Sequence, residues 1–423
     1  MTDAISTLTV HAESLFRETP NPAATAGPAW FESWTSDRVL AESQRIASLF
    51  PTRDPEVKAL VEQIFAEPGL ESLNSGPDAL GPMILHPGGG SRTSAAGLIA
   101  GLLASAYLQM YFLRIEPDER IFVRTVLDGF EQLRRAAKGK TISAHLVLGF
   151  AGVTLAEGTE IATPWGTVRP APKPRPDTRY VDPWQSQTTS LLIHRITIPV
   201  KIDHAASPDF DYGSFDLGIA RSQVLFPLAC TLSSKESAAP VVPRNTWWSL
   251  LLPFQMGMSY SQSLTGPSAR SEGSIGDRAE VEKWARILDD SHGTTMDLAA
   301  RRIISASGER LDRSDALIDA VTVWENLVGT GTEVTFRVTA AISKALEANP
   351  KKRKPLQRRL AEIYRVRSAV VHGDLVEAKK LDDAAKDAID VGVRLLRFCY
   401  TKGKAWLAMK SFERADSLLL EEP

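Results

Sequence analysis

The sequence predicts an α+β protein with an α-helical N-terminal region, a central β-rich region and a C-terminal helical bundle. Three observations predict it. Apolar residues recur at spacings of three and four before residue 140 and again after residue 277, as on the buried stripe of amphipathic helices. Between those regions, short β-branched runs alternate with turn residues, the pattern of strands. Proline-, serine- and glycine-rich stretches at 233–244 and 261–276 punctuate the chain, with a domain boundary expected near 270–277.

The chain has 423 residues, and a prior of roughly 150 residues per domain gives two or three domains. The ranges read as 1–140 (mainly helical), 141–260 (β-rich, with a proline-rich loop) and 277–423 (helical). With 43% hydrophobic and 24% charged residues, the composition excludes a fibrous, collagen-like or wholly disordered chain. The formal net charge is −2, so any attraction to nucleic acid has to come from a local patch. Cys230 and Cys399 are the only cysteines, too few for a disulfide framework or a thiolate zinc site. The opening MTDAISTLTV lacks the basic and apolar regions of a secretory signal. A cytoplasmic setting is therefore expected.

In the N-terminal region, SDRVLAESQRIASLF and DERIFVRTVLDGFEQLRRAAK are periodic helical blocks. Between them HPGGGSRTS reads as a turn, because Gly88–Gly90 are not followed by the Gly-Lys-Ser/Thr of a phosphate loop. Residues 93–113 carry no charge. Their serines, glutamine and many alanines favour a buried central helix over a membrane span.

In the central region, HLVLGFAGVTL, SLLIHRITIPVKI and SQVLFPLACTL read as strands, and TPWGTVRPAPKPRPDTRYVDP as a long extended loop. Trp247-Trp248 reads as core or interface packing. After residue 277 six helical blocks follow, with Gly308, Gly329, Pro355 and Gly373 expected at helix starts and ends.

Chemistry concentrates in the last third. From Lys351 to Arg367 the residues Lys351, Lys352, Arg353, Lys354, Arg358, Arg359, Arg365 and Arg367 face only Glu362, a local charge of +7. Such a concentration attracts a phosphate backbone and makes binding fall with salt. Only Tyr364 offers an aromatic face there, so base-specific reading is not indicated. The histidines show no metal-ligand spacing and no nucleophile elbow is present; neither a metal nor a cofactor is expected.

The segment from about Asp297 to Trp406 resembles the HEPN superfamily, and within it the Apea-like HEPN domains. The likeness is carried by Asp315-Ala-Leu-Ile-Asp319, by Trp324-Glu325-Asn326-Leu327, and by Tyr364-Arg-Val-Arg-Ser-Ala-Val-Val-His-Gly373. It covers about a quarter of the chain. The resemblance implies a dimeric, metal-independent endoribonuclease with an Arg-x(4–6)-His motif, in a prokaryotic defence or toxin role, the first two regions sensing or restraining it. Cellular or phage RNA, including tRNA, is the implied substrate. Three pairs have the spacing, Arg367/His372, Arg365/His372 and Arg286/His292; the surrounding residues select Arg367 and His372. In this sequence Ser368 follows the arginine, as in the Apea-like pattern.

Histidine titrates near neutrality and can move a proton, and an arginine fork can meet two phosphate oxygens. On one unbroken helix the two side chains would point about 140° apart, so either the helix ends between them or two subunits contribute. Glu325, Ser368 and Tyr364 are supporting residues: Glu325 either orients Arg367 or His372 or faces solvent, while Asp315 and Asp319 read as helix-surface charges. The alternative function is a catalytically inert HEPN-type bundle for dimerisation or RNA binding.

Overall fold

In a computed structural model of the chain, the described residues are 2–18, 55–73, 81–113, 118–171, 188–203, 210–211, 215–234, 240–254, 273–275, 277–331 and 333–420. The block SDRVLAESQRIASLF and most of the 261–276 linker lie outside them. The architecture is α+β, and the chain gathers into two compact units. The first comprises 1–150, 166–219 and 245–263; the second comprises 151–165, 220–244 and 264–423.

The first unit holds α1 (Thr2–Glu18), α2 (Pro55–Phe65), α3 (Ala95–Phe112) and α4 (Glu119–Ala137). Helix α4 begins where Asp118 accepts from the amides of Arg120 and Ile121, satisfying donors that a helix start leaves open. It buries Phe122, Val126, Phe130 and Leu133 along one stripe. Gly129 lies so close to the Pro253 carbonyl that a β-carbon would sit 2.6 Å from it.

The uncharged run at 93–113 is the buried helix α3: Leu98, Ile99, Leu102, Leu103 and Met110 are all enclosed. Its Ser105 hydroxyl donates to the Leu252 carbonyl at 2.5 Å and accepts from Gln109. Ser105 and Gln109 on this apolar cylinder are thus partnered within the protein. No helix among the described residues is long and apolar enough to cross a membrane.

The expected turn HPGGGSRTS closes a hairpin of β1 (Met83–His86) and β2 (Gly89–Arg92). β1 also pairs antiparallel with β8 (Lys201–Asp203). A second antiparallel array runs β6 (Gly166–Pro170), β7 (Ser190–Ile198), β3 (Ile142–Ala151) and β9 (Arg244–Leu251). Its register sets Ile142 opposite Ile198 and Leu148 opposite Leu192. Trp247 lies over Gly149, where a β-carbon would meet its Nε1 at 2.4 Å, and it donates to Thr188.

Two readings of the central region need correction. Gly166–Pro170, expected in the extended loop, is strand β6 and pairs with β7. SQVLFPLACTL is helical, forming α5 (Ile219–Ser233) with Pro227 inside it. Every residue from Leu225 to Leu232 is buried, and a run apolar on all sides carries no period to separate strand from helix. Only Val224 and Thr231 in that run are β-branched.

The fold makes a pH prediction. The imidazole of His86, 4% exposed, accepts from the Gly88 amide through Nδ1 at 3.2 Å, which requires the neutral ring. Burial lowers its pKa from 6.5 to about 4. His145 is likewise lowered to about 4, by burial and by the neighbouring Arg195. Below pH 6.5 the unfolded chain takes up protons that the folded state refuses, so this stability is full above pH 6.5 and drains away as pH falls towards 4. For His86 the loss should approach about 3 kcal/mol. Urea titrations at pH 7 and 4.5 measure it, and His86→Gln should flatten the dependence by one proton's slope.

The second unit holds β4 (Val153–Thr154), β5 (Ile161–Thr163), α5 and β10 (Gly273–Ser274), the last parallel to β4. Eight helices follow: α6 (Arg278–Ser291), α7 (Asp297–Ile304), α8 (Arg313–Val328), α9 (Val334–Leu346), α10 (Pro350–Val371), α11 (Ala378–Thr401), α12 (Lys404–Leu407) and α13 (Ser411–Leu420). A π-helical turn, Ser305–Glu309, separates α7 from α8. Asp277, Asp312 and Asn349 cap α6, α8 and α10. Fully buried Trp324 donates from α8 to the Ala388 carbonyl of α11, and Gly392 leaves room for it and Ile303. Gly308 and Gly329 lie at helix ends as expected. Pro355 does not: α10 starts five residues earlier, at Pro350 behind the Asn349 cap, and runs through it.

Candidate active site

Helix α10 carries most of the residues singled out in the sequence. Its core side is formed by Leu360, Ile363 and Tyr364, and at about 100° per residue Arg367 falls on that same side. Arg367 is half-buried, and its Nε is enclosed with no hydrogen-bond partner. The Tyr364 hydroxyl beside it is also enclosed without a partner of standard geometry. The Tyr364 ring meets Trp324 edge-on at 5.8 Å. Burial, and then the Glu325 carboxylate, push the phenol pKa upward, while Arg367 pulls it down. Glu325, Tyr364 and Arg367 therefore form one electrostatic group between α8 and α10, and the phenol stays protonated.

His372 ends the helix. Its amide donates to Ser368, Gly373 follows with φ +80°, and the Gly373 and Asp374 amides close back on Val370 and Ala369. This is a Schellman-type stop, in which glycine takes the left-handed position. The His372 side chain is exposed and makes no hydrogen bond or ion pair among the described residues.

The helix does not end between Arg367 and His372. Within one chain the two therefore point to sides about 140° apart, and Ser368 is exposed between them. A single copy brings Arg367 together with Tyr364 and Glu325, but not with His372.

The basic residues divide. Arg353 donates to the carbonyls of Glu347 and Ala348, closing the end of α9. Arg359 pairs with Asp387 at 2.6 Å and with Glu362 at 3.4 Å. Lys351, Lys352, Lys354, Arg358 and Arg365 are exposed and have no ion pair among the described residues.

Sequence reasoning missed three polar clusters. Asp319, read as a surface charge, is 2% exposed and is gripped by Arg302 at 2.5 Å and Arg310 at 2.7 Å. Its four-residue spacing from Asp315 held no sign of this, because Arg302 comes from a different helix. His292 bridges the Tyr400 hydroxyl at 2.7 Å and the Asp297 carboxylate at 2.9 Å; this use of the ring removes Arg286/His292 from the candidate motifs. Arg414 is buried without a carboxylate and donates to the carbonyls of Asn326, Leu327 and Leu407. No group of three or more His, Cys, Asp or Glu among the described residues could hold a metal ion.

No family model, curated protein or solved structure matches the chain.

Proposed function

We propose that the protein is a metal-independent endoribonuclease of HEPN type, acting as a homodimer in a prokaryotic defence or toxin role. The observation that carries this reading is a chemically unused pair on one helix: the exposed, unpartnered His372 and the unsatisfied Nε of Arg367. In this reading, His372 of one copy and Arg367 of a second copy meet at one phosphate. The substrate 2′-hydroxyl gives its proton to solvent water as its oxygen attacks phosphorus, the bond to the 5′-oxygen breaks, and His372 donates a proton to that leaving oxygen, leaving a 2′,3′-cyclic phosphate and a 5′-hydroxyl. Arg367 offsets the negative charge gathering on the non-bridging oxygens. Glu325 and Tyr364 hold the guanidinium in place.

The test is incubation of total RNA and purified tRNA with the full chain in EDTA. Fragments ending in 2′,3′-cyclic phosphate are expected; intact RNA at every protein concentration would overturn the reading. The inert-module alternative is favoured by one observation, the separation of about 140° between the two side chains on an unbroken helix. It predicts RNA binding or dimerisation without cleavage.

A further inference from the structure

We infer that α10 carries a track for an extended RNA strand, leading along the helix to His372. This rests on the nuclease reading for the destination of the strand, and on the helix alone for the track. Lys351, Arg358, Arg365 and His372 are separated by seven residues each, and seven residues are two helical turns less about 20°. Because α10 is unbroken from Pro350 to Val371, with His372 still right-handed at its cap, the four side chains form one gently drifting row. Lys354 joins it three residues after Lys351.

The row is about 31 Å long, at 1.5 Å per residue. Its four cations, Lys351, Lys354, Arg358 and Arg365, are exposed and without an ion pair among the described residues. Glu362, the one acid within α10, lies in the row between Arg358 and Arg365 and pairs with Arg359 at 3.4 Å. Arg353 and Arg359 are not part of the track, because each is bound elsewhere.

Evenly spaced cations with no exposed aromatic between them fit a polyanion read by its charge and not by its bases. At ~3.4 Å per phosphate along a stacked strand, the row spans on the order of ten phosphates. A membrane surface fits less well, since Leu360, Ile363, Tyr364 and Val366 of this helix face the core and exposed Val371 alone does not make an apolar face.

The experiment measures binding of the full chain in EDTA to fluorescein-labelled oligouridines of 4 to 20 nucleotides by anisotropy. It is run in the His372→Ala background, so that turnover does not enter. With four contacts at about 0.7 each on the salt slope, affinity for the 20-mer should fall about fifty-fold between 50 and 200 mM salt. Arg358→Gln/Arg365→Gln should fall only about seven-fold over the same interval. Lys140→Gln/Lys404→Gln, which removes equal charge elsewhere, should keep the parent slope. Affinity should rise with length to on the order of ten nucleotides and then level. An unchanged slope in Arg358→Gln/Arg365→Gln overturns the track, as does equal displacement by polyglutamate of matched charge, which would identify an acidic protein partner. Track binding without cleavage by the wild type would overturn the nuclease reading and leave the track standing.

Discussion

Arg367→Ala and His372→Ala are each expected to lower RNA cleavage in EDTA by 10²- to 10⁴-fold, the range contributed by a positioned proton donor or a charge-stabilising group. The two substitutions differ in their cost to the fold. His372 is exposed at a helix end and touches no partner among the described residues, so its removal should leave the thermal midpoint unchanged. Arg367 is half-buried beside Tyr364, and its removal should cost about 1 kcal/mol of packing. Arg367→Lys, which keeps the charge and loses the planar fork, should recover only part of the rate. Because one chain holds the two groups on different sides of α10, mixing the two inactive variants is diagnostic. Heterodimers then contain one intact Arg367/His372 pair, and activity should return to about a quarter of the wild-type rate when subunits exchange freely and a composite site is the unit of catalysis. Full-rate cleavage by His372→Ala would rule out its proton-transfer role.

The second large effect concerns stability. Arg414→Met is expected to destabilise the C-terminal unit by about 4 kcal/mol. Arg414 is 2% exposed, and its guanidinium has no ion pair with a carboxylate among the described residues, Glu413 acting on it only from a distance. Instead it lies against the last turn of α8, taking the carbonyls of Asn326 and Leu327 at 2.7 Å, and takes the Leu407 carbonyl that ends α12 at 3.0 Å. Those carbonyls are the negative ends of helices and have no further amide to bond. Methionine would fill the volume but take this donor from the Asn326 and Leu327 carbonyls and leave Leu407 with the Thr295 hydroxyl alone. Burial lowers the Arg414 pKa, yet a guanidinium remains protonated throughout the working range. Arg414→Lys, with its point charge, should restore less than half of the loss, because one ammonium cannot reproduce the fork. Chemical denaturation followed by the fluorescence of Trp406, whose ring lies 5.8 Å from the guanidinium, reads the change. A loss below 1 kcal/mol would mean that the three carbonyls are satisfied without Arg414.

Much of the fold is legible locally. The stripe of α4 and the glycine stops at 329 and 373 follow from short-range pattern, and the structure places them where that pattern indicates. The all-buried segments resisted reading. Helices α3 and α5 are apolar on every side, so their composition establishes burial without establishing period; α5 read as a strand for that reason. Strand β6 was hidden by the proline-rich run around it, although its one proline, Pro170, stands at its last position, where a missing amide disturbs the ladder least.

By itself, the sequence determined the helical character of the last third and the concentration of positive charge after Lys351. Each is a matter of spacing along one helix, and a helix converts spacing into a face without help from elsewhere. Only the tertiary structure decided which charges are spoken for. Arg353 and Arg359 are taken by α9 and Asp387, Asp319 is taken by two arginines, and Arg414 is enclosed among carbonyls 87 and 88 residues away. It also turned Arg367 inward and His372 outward. A charged group's role depends on what burial brings opposite it, and that partner comes from a distant part of the chain, where no local pattern names it.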